Sequence, residues 1–181
     1  MTQKKETSRA WVAKVVIGLN LCPFAQKPFI KNQVRFKVIF ENTFKTQLLA
    51  FWEEVELLSN TDKNKISNTI LILPNGLNDF QEYLKLYELA EQLLIEQKKE
   101  NEFQLASFHP GYQFENTKKD DVSNYTNRSP FPFIHILRTE EVREAISNYP
   151  DIEKVPVRNI ETMQRIGLEG IKNILEEIKK T

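Results

Sequence analysis

The spacing of hydrophobic and polar positions predicts a chain of alternating helices and strands. Trp11, Val12, Val15, Val16 and Leu19 recur at helical intervals, so a first helix is expected to open with Thr7 or Ser8 as N-cap and to end near Gly18, ahead of Pro23. Residues 34–40 (VRFKVIF) alternate apolar and basic side chains before turning wholly apolar, as in a strand covered mainly on one face. A cap at Asn42 or Thr43 precedes a second helix with Phe44, Leu48, Phe51, Trp52, Val55 and Leu58 on one stripe. Residues 69–73 (TILIL) form a short apolar run closed by Pro74-Asn75-Gly76, the signature of a strand buried on both faces. Asn78 or Asp79 then caps a helix running to about Lys98, residues 103–108 read as a third strand and residues 131–138 as a fourth. Helices over about 140–148, stopped by Pro150, and 158–180 close the chain. On the last helix, Gly167 and Gly170 share the apolar stripe and suggest close helix packing.

Strand, helix, strand, helix, strand is two consecutive crossover units, so the first three strands are expected to run parallel with right-handed connections. The fold class is α/β or α+β, with a mixed, mostly parallel sheet of about four strands packed with helices. In such sheets ligands bind beyond the carboxyl ends of the parallel strands, here near Glu41/Asn42, Pro74/Asn75 and His109/Pro110. The 181 residues contain no repeat, low-complexity tract or linker, which points to a single domain over 1–181 with residues 1–8 as a flexible N-terminal arm.

Composition narrows the chemistry. The 25 basic and 25 acidic side chains cancel, which argues against a nucleic-acid partner, although the first 33 residues hold six basic groups and one acidic. The five glycines form neither a dinucleotide fingerprint nor a P-loop, and two histidines with one cysteine cannot complete a Cys₄ or Cys₂His₂ zinc site. No cofactor and no metal site is therefore expected. No run reaches the roughly 18 apolar residues of a membrane span, and the polar start lacks the apolar region of a signal peptide. These readings place the protein in a cytoplasm, with no membrane partner and an oligomeric state left open.

The polar stretch 109–130 is the first candidate for chemistry, because long loops without secondary structure are uncommon in compact domains. His109 ends a strand and precedes a proline, so it reads either as a general acid or base or as a hydrogen-bonded latch for the loop. Arg128, flanked by Asn127 and Ser129, either clamps an anion in bidentate fashion or pairs with Asp120 or Asp121. Tyr112, Asn124 and Asn127 would orient a substrate, and Asp120 and Asp121 could cap a helical turn. His135 shares a strand face with Phe131, Phe133 and Leu137, which suits a satisfied core histidine better than a catalytic one. Arg138, at the strand end, reads as accessible and substrate-binding. If His109 stands opposite Phe131 in a hairpin, His135 lies roughly 13 Å further along, too far for a shared metal or a dyad. Cys22 follows the negative end of a helix and sits between Leu21 and Pro23-Phe24, so packing is favoured over nucleophilic catalysis.

Three blocks, residues 18–25 (GLNLCPFA), 107–114 (SFHPGYQF) and 121–130 (DVSNYTNRSP) with Pro132 and residues 135–138 (HILR), resemble the hallmark segments of a bacterial family known as domain of unknown function 1415. The resemblance spans about Trp11 to Gly170 and implies a bacterial cytoplasmic protein whose recognisable residues include Cys22, His109, Asn127, Arg128, His135 and Arg138. It carries no activity to transfer. The residues themselves suggest a small enzyme, a hydrolase or transferase, acting on a small anionic molecule, with Arg128 holding the anion, His109 as acid or base, and Tyr112, Asn124, Asn127, Ser129, His135 and Arg138 in binding roles. The alternatives are a non-catalytic module binding a metabolite or protein, and a metal-dependent hydrolase using His109 with Asp120 or Asp121 and Glu115.

Overall fold

The computed structural model describes residues 2–180. Helix α1 (Thr2–Trp11) runs into a wide π-type turn (Val12–Ile17), followed by α2 (Gln26–Ile30), β1 (Val34–Val38), α3 (Phe44–Ser59), β2 (Asn68–Ile72), α4 (Phe80–Glu96), β3 (Phe103–Phe108), a 3-10 turn (Val122–Thr126), β4 (Phe133–Arg138), α5 (Thr139–Ser147), a second 3-10 turn (Ile152–Lys154) and α6 (Val155–Lys179). Capping explains two of the sharpest starts. Thr43 accepts from the Thr46 N–H ahead of α3, and Asp79 accepts from the Gln81 and Glu82 N–H groups ahead of α4.

The N-terminus differs from expectation. Residues read as a flexible arm are helical from Thr2, and Thr7 and Ser8 lie inside the helix instead of capping it. Both are buried, and their hydroxyls donate back to the Gln3 and Lys4 carbonyls at 2.9 and 2.8 Å. That local bond satisfies a hydroxyl carried into the core by the helix's apolar face. At the far end of the π turn, a Cβ on Gly18 would stand 2.4 Å from the Lys14 carbonyl oxygen, so no side chain fits there. Asn20, at φ 54°, then reverses the chain.

The sheet has the order β1-β2-β4-β3. β1 and β2 pair in parallel, while β4 is antiparallel to both β2 and β3. The first three strands thus share one direction, but only one parallel pair exists, and the expected mostly parallel sheet is corrected to a mixed one. The reason is tertiary: the crossover through α4 leaves one strand position open, and β4 returns to fill it, making a split βαβ unit. β4 shows the consequence, with Phe133, Ile134 and Ile136 no more than 1% exposed.

Strand alternation gives the sheet two apolar faces. Leu71, Phe103, Ile134 and Ile136 meet α3 and α4 on one side, whereas Phe36, Ile70, Ile72 and Phe133 meet α1 and α6 on the other. Helix α6 is broken at Gly167 (φ 70°, ψ 170°), where nothing lies within 4 Å of an added Cβ. The glycine expected to serve close packing instead supplies a left-handed backbone.

Candidate functional site

The two histidines stand on opposite faces of the sheet. β3 and β4 pair Phe108 with Phe133 and Ala106 with His135, so the register is offset by one residue from the hairpin imagined from sequence. Alternation turns the His135 ring toward α1 and α6, while His109 stacks near Phe80 and Tyr83 of α4, with ring centroids 5.3 and 5.2 Å away. A dyad or shared metal fails because the sheet itself lies between them.

The 109–130 segment is a closed knot of polar contacts. His109 is 1% exposed; its Nε2–H donates to the Leu77 carbonyl at 2.9 Å and Nδ1 accepts the Gly111 N–H at 2.9 Å. Both nitrogens are engaged and the tautomer follows, because a carbonyl can only accept. Burial pushes the ring's pKa down, so it stays neutral. Asn124, fully buried, accepts from the Phe114 N–H and the Thr117 hydroxyl and donates to the Lys118 carbonyl. Asn127 donates to the Ser107 carbonyl at 3.2 Å, and the Ser129 hydroxyl donates to the Phe131 carbonyl. Tyr112 packs between Phe80 and Phe114, with centroids 5.0 and 4.9 Å away. Asp121 caps the 3-10 turn, accepting from Ser123. Arg128 donates to the Tyr112 and Lys119 carbonyls and lies over the Tyr125 ring, instead of pairing with Asp120 or Asp121.

His135 belongs to a different place. A cavity of about 660 Å³ opens between the α1 face of the sheet, the turn after Gly18 and α5. Trp11, Phe108 and Phe133 form its apolar wall, Cys22 and Phe24 its rim, and Asn68, His135, Arg138 and Glu141 its polar end. The polar end lies where β1 and β2 begin and β4 finishes, opposite to the carboxyl edge expected from a parallel sheet. The Phe24 and Tyr149 rings meet edge-on at 5.5 Å and brace the rim.

The polar end is a directed chain. The His135 Nε2–H donates to Asn68 Oδ1 at 2.8 Å, Asn68 Nδ2 donates to Ser67 Oγ at 3.2 Å, and Ser67 Oγ donates to Glu141 Oε2 at 2.9 Å. Every donor points toward the carboxylate, and such alignment reinforces each bond. It leaves His135 Nδ1 as a lone pair with no protein partner among the described residues. Burial pushes the His135 pKa down to about 4 and the Glu141 pKa up. Arg138 donates to the Leu58, Thr61 and Ile66 carbonyls, closing the C-terminal end of α3, and its Nε stands 3.9 Å from Glu141. The Trp11 indole N–H and Arg138 Nε are buried without an acceptor. Cys22 makes no disulfide, and burial pushes its thiol pKa up. Among the described residues, no three His, Cys, Asp or Glu side chains converge as a metal would need.

The blocks at residues 18–25, 107–114, and 121–130 with Pro132 and residues 135–138 thus build the cavity rim, the polar knot and the cavity floor. A family model described as protein of unknown function (DUF1415) matches residues 3–173. The chain belongs to this family. No curated protein and no solved structure matches it. Among the described residues, no helix of this DUF1415 protein is long and apolar enough to cross a membrane.

Asn68, Ser67 and Glu141 escaped the sequence reading. Their one signal is a polar Ser-Asn pair immediately before the apolar 69–73 run, which reads as a strand boundary; both residues are buried, and Asn68 is the first residue of β2. Glu141 looks like any acidic residue in a first helical turn.

Proposed function

We propose that this protein binds a small, mostly apolar organic molecule in the His135 cavity. The observation that carries the reading is the lone His135 Nδ1 at the end of an oriented hydrogen-bond chain inside a largely apolar cavity. The volume, about 660 Å³, lies within the range of roughly 300–1,000 Å³ for small-molecule sites, which combine an apolar lining with a few placed polar groups. Since a ring with a pKa of about 4 is neutral at physiological pH, it accepts a hydrogen bond from a hydroxyl or amine on the ligand. His109 receives no acid–base role here, because both of its nitrogens already serve the backbone.

A second reading, acid–base catalysis at Nδ1, is favoured by the chain to Glu141, which holds one imidazole tautomer as catalytic histidines are held. The ligand would give its proton to Nδ1 while Nε2–H stays on Asn68.

2-Naphthol, an apolar ring system with one hydroxyl, is a direct probe. Saturable binding that raises the melting temperature and shifts the His135 Nδ1 resonance is expected, and Ala106→Phe, which fills the cavity opposite His135, should abolish it. Equal binding by the filled variant, or no saturable binding by the wild type, would overturn the proposal. Metabolite extract incubated with the protein separates the two readings, since a bound compound recovered unchanged favours the module and its conversion favours the enzyme.

A further inference from the structure

Arg128 is left unexplained by the cavity. A second, open cleft of about 340 Å³ lies beyond the carboxyl end of β3, and it shares no lining residue with the first. Lys119, Arg128 and Lys172 line it together with one carboxylate, Asp120, while Pro110, Gly111 and Leu168 supply apolar surface.

The guanidinium is oriented without being neutralised. Arg128 Nε donates to the Tyr112 carbonyl at 2.9 Å and Nη2 to the Lys119 carbonyl at 2.6 Å, with Cζ 4.6 Å from the Tyr125 ring centroid. These partners fix its plane but carry no negative charge, and Nη1 has no protein partner among the described residues. None of the ion pairs within 4.0 Å among the described residues involves Lys119, Asp120, Arg128 or Lys172. Three cations against one carboxylate leave the cleft with an excess of two positive charges, which repel one another while the cleft is empty. A planar donor fork with its own geometry preset suits a tetrahedral or planar oxyanion.

We propose that Lys119, Arg128 and Lys172 form a binding site for a dianionic oxyanion, the chemistry of a phosphate group, on a small solute. The charge excess matches a dianion better than a monocarboxylate, which would leave one positive charge uncompensated. The volume exceeds that of one phosphate and leaves room beside Pro110 and Leu168 for a short organic portion. Arg128 both anchors the loop and presents the site, so loop order and anion affinity are linked through one side chain.

The test uses inorganic phosphate and glycerol phosphate, titrated calorimetrically at constant ionic strength with chloride as the reference anion. Saturable binding is expected for both phosphates and absent for chloride. Tighter glycerol phosphate binding identifies an organic phosphate as the occupant, whereas equal affinities identify the free ion; either result supports the site. Lys172→Glu and Lys119→Glu alter exposed side chains, so each should leave the melting temperature in chloride unchanged while weakening phosphate by about tenfold or more. A response to chloride equal to that for phosphate, or unchanged phosphate affinity in both variants, would overturn the proposal. 2-Naphthol binding in the lysine variants reports on the cavity separately, so the two proposals fail independently.

Discussion

The 109–130 knot and the His135 cavity each hold one of the two histidines, and in both the imidazole is kept neutral by burial. They differ in where their hydrogen bonds end. In the knot, His109, Asn124 and Asn127 bond chiefly to backbone groups of the same segment or of neighbouring elements and are spent on holding it, while Arg128, also tied to backbone carbonyls, keeps Nη1 free. In the cavity, a short chain of four side chains runs in one direction, from a free lone pair on His135 to the Glu141 carboxylate. A polar residue inside such a run is therefore a guide to a site only once its partners are known, because most of these residues hold irregular backbone in place of secondary structure. Sparse polar atoms on an apolar wall leave binding capacity unspent.

The contrast is broken or sharpened most strongly in the knot. Asn124→Ala removes three hydrogen bonds at a fully buried position and is expected to cost about 2–4 kcal/mol in denaturant unfolding. His109→Ala should cost a comparable amount. A loss below about 1 kcal/mol for either would mean that the segment is not held by these bonds.

The next largest effect is set by pH. The unfolded chain protonates His135 near pH 6.5, the ordinary histidine value, whereas the folded protein does so only near pH 4. Between those values the unfolded state binds more protons, so stability is complete above pH 6.5, declines as pH falls through this window and levels off below about 4. The decline attributable to His135 is on the order of 2–3 kcal/mol. His109, also held down, adds a slope of the same sign. Unfolding curves at pH 7, 5.5 and 4 should show the loss, and His135→Phe should flatten it; an unaltered slope in that variant would remove His135 as its source.

Asn68→Ala leaves the His135 Nε2–H without its acceptor and is expected to cost about 1–2 kcal/mol. Nitrogen chemical shifts should show the ring losing its single tautomer. A ring still held as the Nε2–H form would show that the cavity, and not the chain, selects it. The smallest effect is at the rim, where Cys22→Ala should change stability by less than about 1 kcal/mol. Alkylation of Cys22 should be slow at neutral pH and accelerate as pH rises, because the raised thiol pKa suppresses the thiolate, and 2-naphthol in the cavity should protect it.

Much of the fold was legible. The caps at Thr43 and Asp79, the third strand and the fourth strand's apolar character follow from local patterns that need no knowledge of partners. The candidate site was half legible. His135 and Arg138 were in view as binding residues, but Asn68 and Glu141 were not, because nothing within either residue's own segment marks it as a partner of His135.

Read alone, the chain determined its four strands, most of its longer helices, their amphipathic faces and the excess of polar groups between the third and fourth strands, since these depend on periodicities of 3.6 and 2 residues. Tertiary structure decided that the fourth strand enters between the second and third, on which face each histidine lies, and which polar groups find partners. Those outcomes depend on pairing across long separations, such as the 67 residues between Asn68 and His135. A shift of one residue in register would carry His135 to the other face of the sheet.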